Sequence, residues 1–276
     1  MAMKNVEGPT WRAAPPDSES NARRFLGMQL SSFDVDACAR HILTAPSRDG
    51  ATLFVTPNIQ HIAIARKDPE FASLLAAAEL VVCDGFPVYR YARWRGHDVP
   101  ARVTGREVIE RMMAYPDLLA RHRLFFVIDG AQTQAAIECW IADALPGVAA
   151  EFVIPPFGFE EDASYCAGLA AQIARFETSL LFLCVGAPRS ELFAHRHRAL
   201  LPPCHALCVG QAFQIALGLT TRPPGLIVSL NLEWAWRIVL APKRMLRRYG
   251  PSAVGFLAAI LDDLRGRDRF GRVIQS

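Results

Sequence analysis

The chain has 276 residues, 51% hydrophobic and 21% charged, which excludes a largely disordered protein and leaves room for one large α/β domain with or without an appendage. A formal net charge of +3 is too small to mark a nucleic-acid partner. The seven cysteines include no CxxC pair and several sit in apolar runs, so buried thiols in a reduced, cytoplasmic protein fit better than disulfides or a zinc site.

Residues 1–24 are polar, carry prolines and lack the apolar stretch of a signal peptide, so they read as a disordered tail. From there the chain alternates. A helix is expected over Phe33–Leu43, with Asp34 or Asp36 near its start. The apolar run Ala51–Thr56 is a buried strand that ends in Pro57-Asn58. Helix follows from Ile59 to Ala65 and on to Ala78. Leu80–Cys83 is a second strand, stopped by Asp84-Gly85, and a helix covers Val88–Trp94. After the loop Arg102-Val103-Thr104-Gly105 a helix runs through Met113.

The second half keeps this rhythm. Strands are expected at Leu124–Ile128, Glu151–Ile154, Leu180–Val185 and Ala206–Val209. Helices are expected at Thr133–Leu145, Ala163–Arg175, from Pro188 to Leu201, and from Gly210 to Leu217. Short uncharged strands between helices predict an α/β fold, a Rossmann-like, mostly parallel sheet with helices on both faces. This domain is expected over 25–221. Residues 222–276 differ: a Trp- and Arg-rich helical region over Ser229–Tyr249, broken at Pro242, then a short helix over Ala253–Leu264. They read as a C-terminal helical appendage. The longest uncharged run, Ala199–Thr221, carries two prolines, a histidine and two glutamines, so it predicts a strand and turn, not a membrane span.

Ligands of open parallel sheets bind beyond the carboxyl ends of the strands. Asp84 stands at such an end; it is either a general base or an ordinary Asp-Gly turn former. Thr56 and Asn58 end the preceding strand and either bond a ligand or cap a turn. Arg102 and Thr104 precede a helix whose N-terminus suits an anion such as a diphosphate, or form a plain cap. Gly186, Gly210 and Phe213 lie in the later strand-end turns, where glycine lets a phosphate or ribose approach the backbone. No GxGxxG follows the first strand, and GxxxxGK[ST], HExxH, DxD and GxSxG are absent. Dinucleotide oxidoreductases, P-loop enzymes, metalloproteases, metal-dependent transferases of the DxD sort and α/β-hydrolases are disfavoured. No metal site or cofactor is expected. Five basic residues and no acid lie between Arg237 and Tyr249, among Ile238, Val239, Leu240, Met245 and Leu246. That mixture suits an element attracted to anionic lipid, or arginines that close over a pyrophosphate, or a solvated basic helix.

Together, VTPN with the following helix, LVVCDG, RVTG, LLFLCVGAPRSE, GQAFQIALG and LEWAWRIVLAPKRMLRRY resemble the WecG/TagA/CpsF family of bacterial glycosyltransferases, in order and spacing, from about Thr52 to Tyr249. The resemblance implies an inverting, metal-independent hexosyltransferase. Its donor would be a UDP-sugar bearing a hexose or N-acetylhexosamine, and its acceptor an undecaprenyl-diphosphate-linked sugar. The setting would be surface-polysaccharide synthesis by an enzyme peripheral on the inner face of the cell membrane, a homo-oligomer in some members. Asp84 would be the base, with Thr56, Asn58 and Arg102 beside it. Phe159 would meet the uracil, and Arg189 and Glu191 belong to the pocket. Arg237, Arg244 and Arg247 would reach the diphosphate. Three motifs depart from the family. PKQE is Pro188-Arg189-Ser190-Glu191, GGAFD is Gly210-Gln211-Ala212-Phe213-Gln214, and KRAP is Thr221-Arg222-Pro223-Pro224. Gln214 thus replaces an aspartate expected at the uracil. These changes keep a second reading open, a non-catalytic, membrane-associated relative that binds nucleotide or glycolipid.

Overall fold

The computed structural model describes residues 24–47, 50–220 and 242–267, and the side chains of all of these but 242–249. The tail expected over 1–24 therefore lies, apart from Arg24, outside the described residues, as do Trp234, Trp236 and Arg237.

Among the described residues six strands form one sheet in the order β2-β1-β6-β5-β3-β4, and every pairing in it is parallel. They are β1 (Ala51–Val55), β2 (Leu80–Val81), β3 (Leu124–Val127), β4 (Ala150–Val153), β5 (Leu180–Leu183) and β6 (Cys204–Cys208). Alternate residues point to opposite faces. Leu53 and Val55 join one buried cluster and Phe54 the other; Phe125 and Val127 face one side, Leu124 and Phe126 the other. A strand covered on both faces must be apolar at every position, which is why these runs lack alternation. β4, at the sheet edge, is only half-buried. The run 199–221 contains β6, as expected of a strand and turn.

Among the described residues ten helices stand between or beside the strands: α1 (Val35–Thr44), α2 (Ile59–Ala65), α3 (Pro69–Ala77), α4 (Phe86–Trp94), α5 (Gly105–Met113), α6 (Pro116–Leu119), α7 (Ala131–Ala144), α8 (Ala163–Arg175), α9 (Arg189–Arg196) and α10 (Ala212–Ala216). Asp34 caps α1 by accepting from Ala37 N at 2.8 Å. The helix expected from Ile59 to Ala78 is two. Asp68 accepts from Glu70 N and Phe71 N, and Pro69 takes the first helical position, where its missing N–H costs nothing. α9 ends at Arg196, short of the expected Leu201. The short α6 and a 3₁₀ turn at Phe159–Glu161 were not expected.

The last helix, α11 (Pro242–Leu264), runs through Pro251, where the sequence suggested separate stretches. It crosses α2 closely. Phe256 and Ala259 enter the same buried cluster as Ile62 and Phe71. Arg66 Nη1 meets Asp262 Oδ2 at 2.6 Å, Tyr91 Oη donates to Asp263 Oδ2 at 2.5 Å, and Arg95 Nε lies 2.8 Å from the same oxygen. No helix among the described residues is long and apolar enough to cross a membrane.

Between β3 and β5 the connections leave in opposite directions, β3 outward to β4 and β5 inward to β6. Such a switch opens a crevice at the carboxyl edge.

Candidate active site

The carboxyl edge has two halves. At β1 and β2, Thr56 is buried while Asn58 and Asp84 are half-buried. Asp84 N donates to Pro57 O at 3.3 Å, and Arg102 Nη1 donates to Asp84 O at 3.4 Å. Two loops and an arginine thereby fix the backbone that carries the carboxylate. Gly85 is needed here for close approach: a Cβ on it would lie 3.2 Å from both Cα and Cβ of Asn58. Asn58 also caps α2, its Oδ1 accepting from Gln60 N at 2.9 Å. Arg102 Nη2 stands 3.9 Å from Glu107 Oε1. Thr104 is buried and spent on the start of α5. Its hydroxyl donates to Glu107 Oε2 at 2.8 Å and accepts from Glu107 N at 3.1 Å. It is the N-cap of α5.

The other half gathers the turns after β3, β4, β5 and β6. Gly186 and Gly210 both take positive φ, +80° and +52°, and face each other closely enough that a Cβ on Gly210 would lie 3.9 Å from Gly186 Cα. Arg189 Nη2 donates to Val185 O at 2.5 Å, and its guanidinium lies 5.1 Å from the Phe157 ring centre. Phe157 is 93% exposed. Phe159, expected against the base, is 1% exposed, its ring packed on Tyr165 and Phe193. Phe213 is likewise a core residue, edge-on to Phe126 and Phe182. Ser190 is fully buried and donates to Leu183 O at 3.2 Å. Gln214 Nε2 donates to Asp129 Oδ1 and Oδ2 at 2.9 and 2.7 Å. Thr133 Oγ1 donates to Asp129 Oδ1 at 2.9 Å. Asp129 and Phe157 were not singled out in the sequence. Asp129 ends a strand before glycine, the same signal that marked Asp84.

Glu191 is buried under both halves. Its Oε1 lies 3.2 Å from Nε2 of the buried His61. Arg237 lies outside the described residues; Arg244 and Arg247 lie in α11, their side chains not described. Three thiols border the edge. Burial, helped by the Asp84 charge, pushes Cys83 up to about 12. Burial raises Cys184 and Cys208 as well, so none is a ready thiolate nucleophile. Among the described residues no group of three His, Cys, Asp or Glu side chains could hold a metal ion.

The pattern of strand-end loops is matched by a family model, the glycosyl transferase WecG/TagA/CpsF family, over residues 23–269. The chain belongs to this family. The transferase is similar to N-acetylglucosaminyldiphosphoundecaprenol N-acetyl-beta-D-mannosaminyltransferase of Bacillus subtilis (strain 168), at 26% identity over 226 residues, 80% of this chain and 84% of the relative. The protein of that name from Bacillus spizizenii is 25% identical over 228 residues, 82% of this chain and 84% of the relative. As a member of this family the protein is an enzyme, a hexosyltransferase.

Proposed function

We propose that this transferase moves a hexose or N-acetylhexosamine from a UDP-sugar to a sugar on a polyprenyl diphosphate at the inner face of the cell membrane. The transfer inverts the anomeric centre, needs no metal, and serves surface-polysaccharide assembly. The observation that carries this reading is Asp84, a half-buried carboxylate pinned at a strand end between Asn58 and Arg102. The acceptor hydroxyl gives its proton to Asp84 as its oxygen attacks the anomeric carbon. The bond from that carbon to the diphosphate breaks on the opposite side, and UDP leaves with the electron pair. Charge builds on the leaving phosphate, and arginines supply the donors that offset it. The relatives' printed names support the acceptor class, since both act on an N-acetylglucosaminyldiphosphoundecaprenol.

Phe157 offers the donor base a stacking face, and Asp129, held by Gln214 and Thr133, offers an acceptor for a base N–H. Membrane association is supported by Val254, Leu257, Leu261 and Leu264, 49–69% exposed on one face of α11. Beside them on α4 stand the exposed Trp94, Arg90 and Arg93, an aromatic and basic fringe suited to anionic headgroups.

Asp84→Asn tests the reading. UDP release with a short-chain polyprenyl-diphosphate sugar should fall at least about 100-fold in kcat, with UDP binding kept. Native turnover in that variant would remove Asp84 as base. If calorimetry finds no nucleotide bound by the native protein, the non-catalytic reading replaces this one.

A further inference from the structure

His61 lies on the first turn of α2 and is 6% exposed; Glu191, on α9, is 2% exposed. A polar pair this deep is costly unless its hydrogen bonds are made. The imidazole makes two. Its Nδ1 accepts from Asn58 N at 3.4 Å, and its Nε2 faces Glu191 Oε1 at 3.2 Å. An N–H aimed at Nδ1 requires that nitrogen to carry no proton, so the hydrogen sits on Nε2 and is donated to Glu191. Glu191 Oε2 is buried without a partner among the described residues. A buried carboxyl oxygen left over at this depth calls for an explanation.

The chain continues upward. Asn58 follows Pro57, whose carbonyl accepts from Asp84 N, and Gly85 packs directly on Asn58. Glu191 follows the turn that holds Gly186 and Arg189. The Glu191–His61–Asn58 link thus joins the helix that follows the β5 turn to the loop that fixes Asp84, through the His61 imidazole. We propose that His61 is a positioning residue for the transfer. Held by Glu191 in its Nε2–H tautomer, it sets the Thr56–Asn58 loop, and through it Asp84, in the geometry needed to take the acceptor proton. This rests on the transferase reading above.

The plain alternative is that His61 only completes the cap of α2. A glutamine at the same helical position reaches back to the cap N–H equally well. His61→Gln therefore keeps the cap and cuts the link to Glu191. It is expected to melt as the native protein, hold donor KM within about twofold, and lose kcat about 10- to 100-fold, the scale of a small misplacement of reacting groups. Glu191→Leu should do the same, and the double variant should be no worse than either single, because the residues act in series. Native kcat in a normally folded His61→Gln, or losses that multiply in the double variant, would overturn the proposal. Should Glu191→Leu not fold, Glu191→Gln replaces it, since it keeps the shape and an oxygen for the Nε2–H. It should retain more kcat than His61→Gln, and the reverse order overturns the proposal. Ring ¹⁵N NMR of the native protein separates this from the parent reading. A proton on Nε2 alone is expected whatever the turnover, and the Nδ1–H tautomer would end the proposal even in an active enzyme.

Discussion

Replacing Gly255 by alanine should destabilise the protein, although alanine is the better helix former. A Cβ at 255 would stand 2.7 Å from Ala63 Cβ and 3.0 Å from Ala63 Cα. Carbons settle at about 3.5–4.0 Å, so α11 and α2 must part by about 1 Å at their crossing. Overpacking of this kind costs about 1–3 kcal/mol. The helix propensity gained is only about 0.8–1.0 kcal/mol, leaving a net loss of up to about 2 kcal/mol. Gly168→Ala is the matched control. Gly168 lies exposed inside α8, and a Cβ there meets nothing within 4 Å. It should gain up to about 1 kcal/mol. Urea melts of both variants against the native protein read the two effects, and their difference, about 1–3 kcal/mol, isolates the crossing. Equal shifts in one direction would refute the close packing of α11 on α2. Because Asn58 caps α2, parting the helices should also lower transfer activity.

Phe157→Ala should raise donor KM about tenfold, the size of one base–aromatic stack, with the melt unchanged. Phe159→Ala should instead lose about 3–5 kcal/mol of stability and leave the KM of the folded fraction alone; the opposite pairing would restore Phe159 to the pocket. Burial lowers His122 and His205 below the usual value, as it does His41 beside them. Each stays neutral in the native state where the unfolded chain already binds a proton, so stability is present above about pH 6.5 and is lost as pH falls below it. Urea midpoints should drop between about pH 7.5 and 5.5, and the drop should shrink in His205→Gln; an equal drop in that variant would count against it. Leu257→Asp with Leu261→Asp should weaken sedimentation with anionic vesicles at least about tenfold without moving the melt, and unchanged sedimentation would exclude that face from the membrane.

The sheet was legible because its central strands are doubly covered and therefore carry no acidic, lysine or arginine side chain, and because small or polar residues lie close beyond nearly every strand. Asp84 and its neighbours were legible for the same reason, lying where apolar runs stop. The donor half was not. In the turn Pro155–Phe159 two phenylalanines stand two apart, and an irregular turn has no period to say which one is buried. Gly158, at φ +79°, leaves Phe157 exposed while Phe159 caps the core. His61 gives no signal in the sequence of α2 because its partner is 130 residues away. Gln214 and Asp129, 85 residues apart, hide each other likewise. The path of α11 through Pro251 was missed because a proline inside a helix ordinarily signals its end.

The departures from the family motifs are chemically self-consistent where they stand. A serine in place of the usual glutamine leaves no stranded polar group at position 190, because its hydroxyl turns inward to the carbonyl of Leu183. The turn from β5 to α9 is intact around it. At position 214 an amide replaces a carboxylate, yet negative charge stays at the edge. Asp129, across the crevice on β3, is clasped by that same amide and by Thr133. An aspartate at 214, although one methylene shorter, would put a second negative charge near Asp129, and like charges so close repel. Glutamine at 214 and aspartate at 129 are therefore compatible neighbours, with the carboxylate of this pair on the β3 turn. On the proposed reading, the acceptor for a donor-base N–H is then Asp129 after β3, on the far side of β5 from β6.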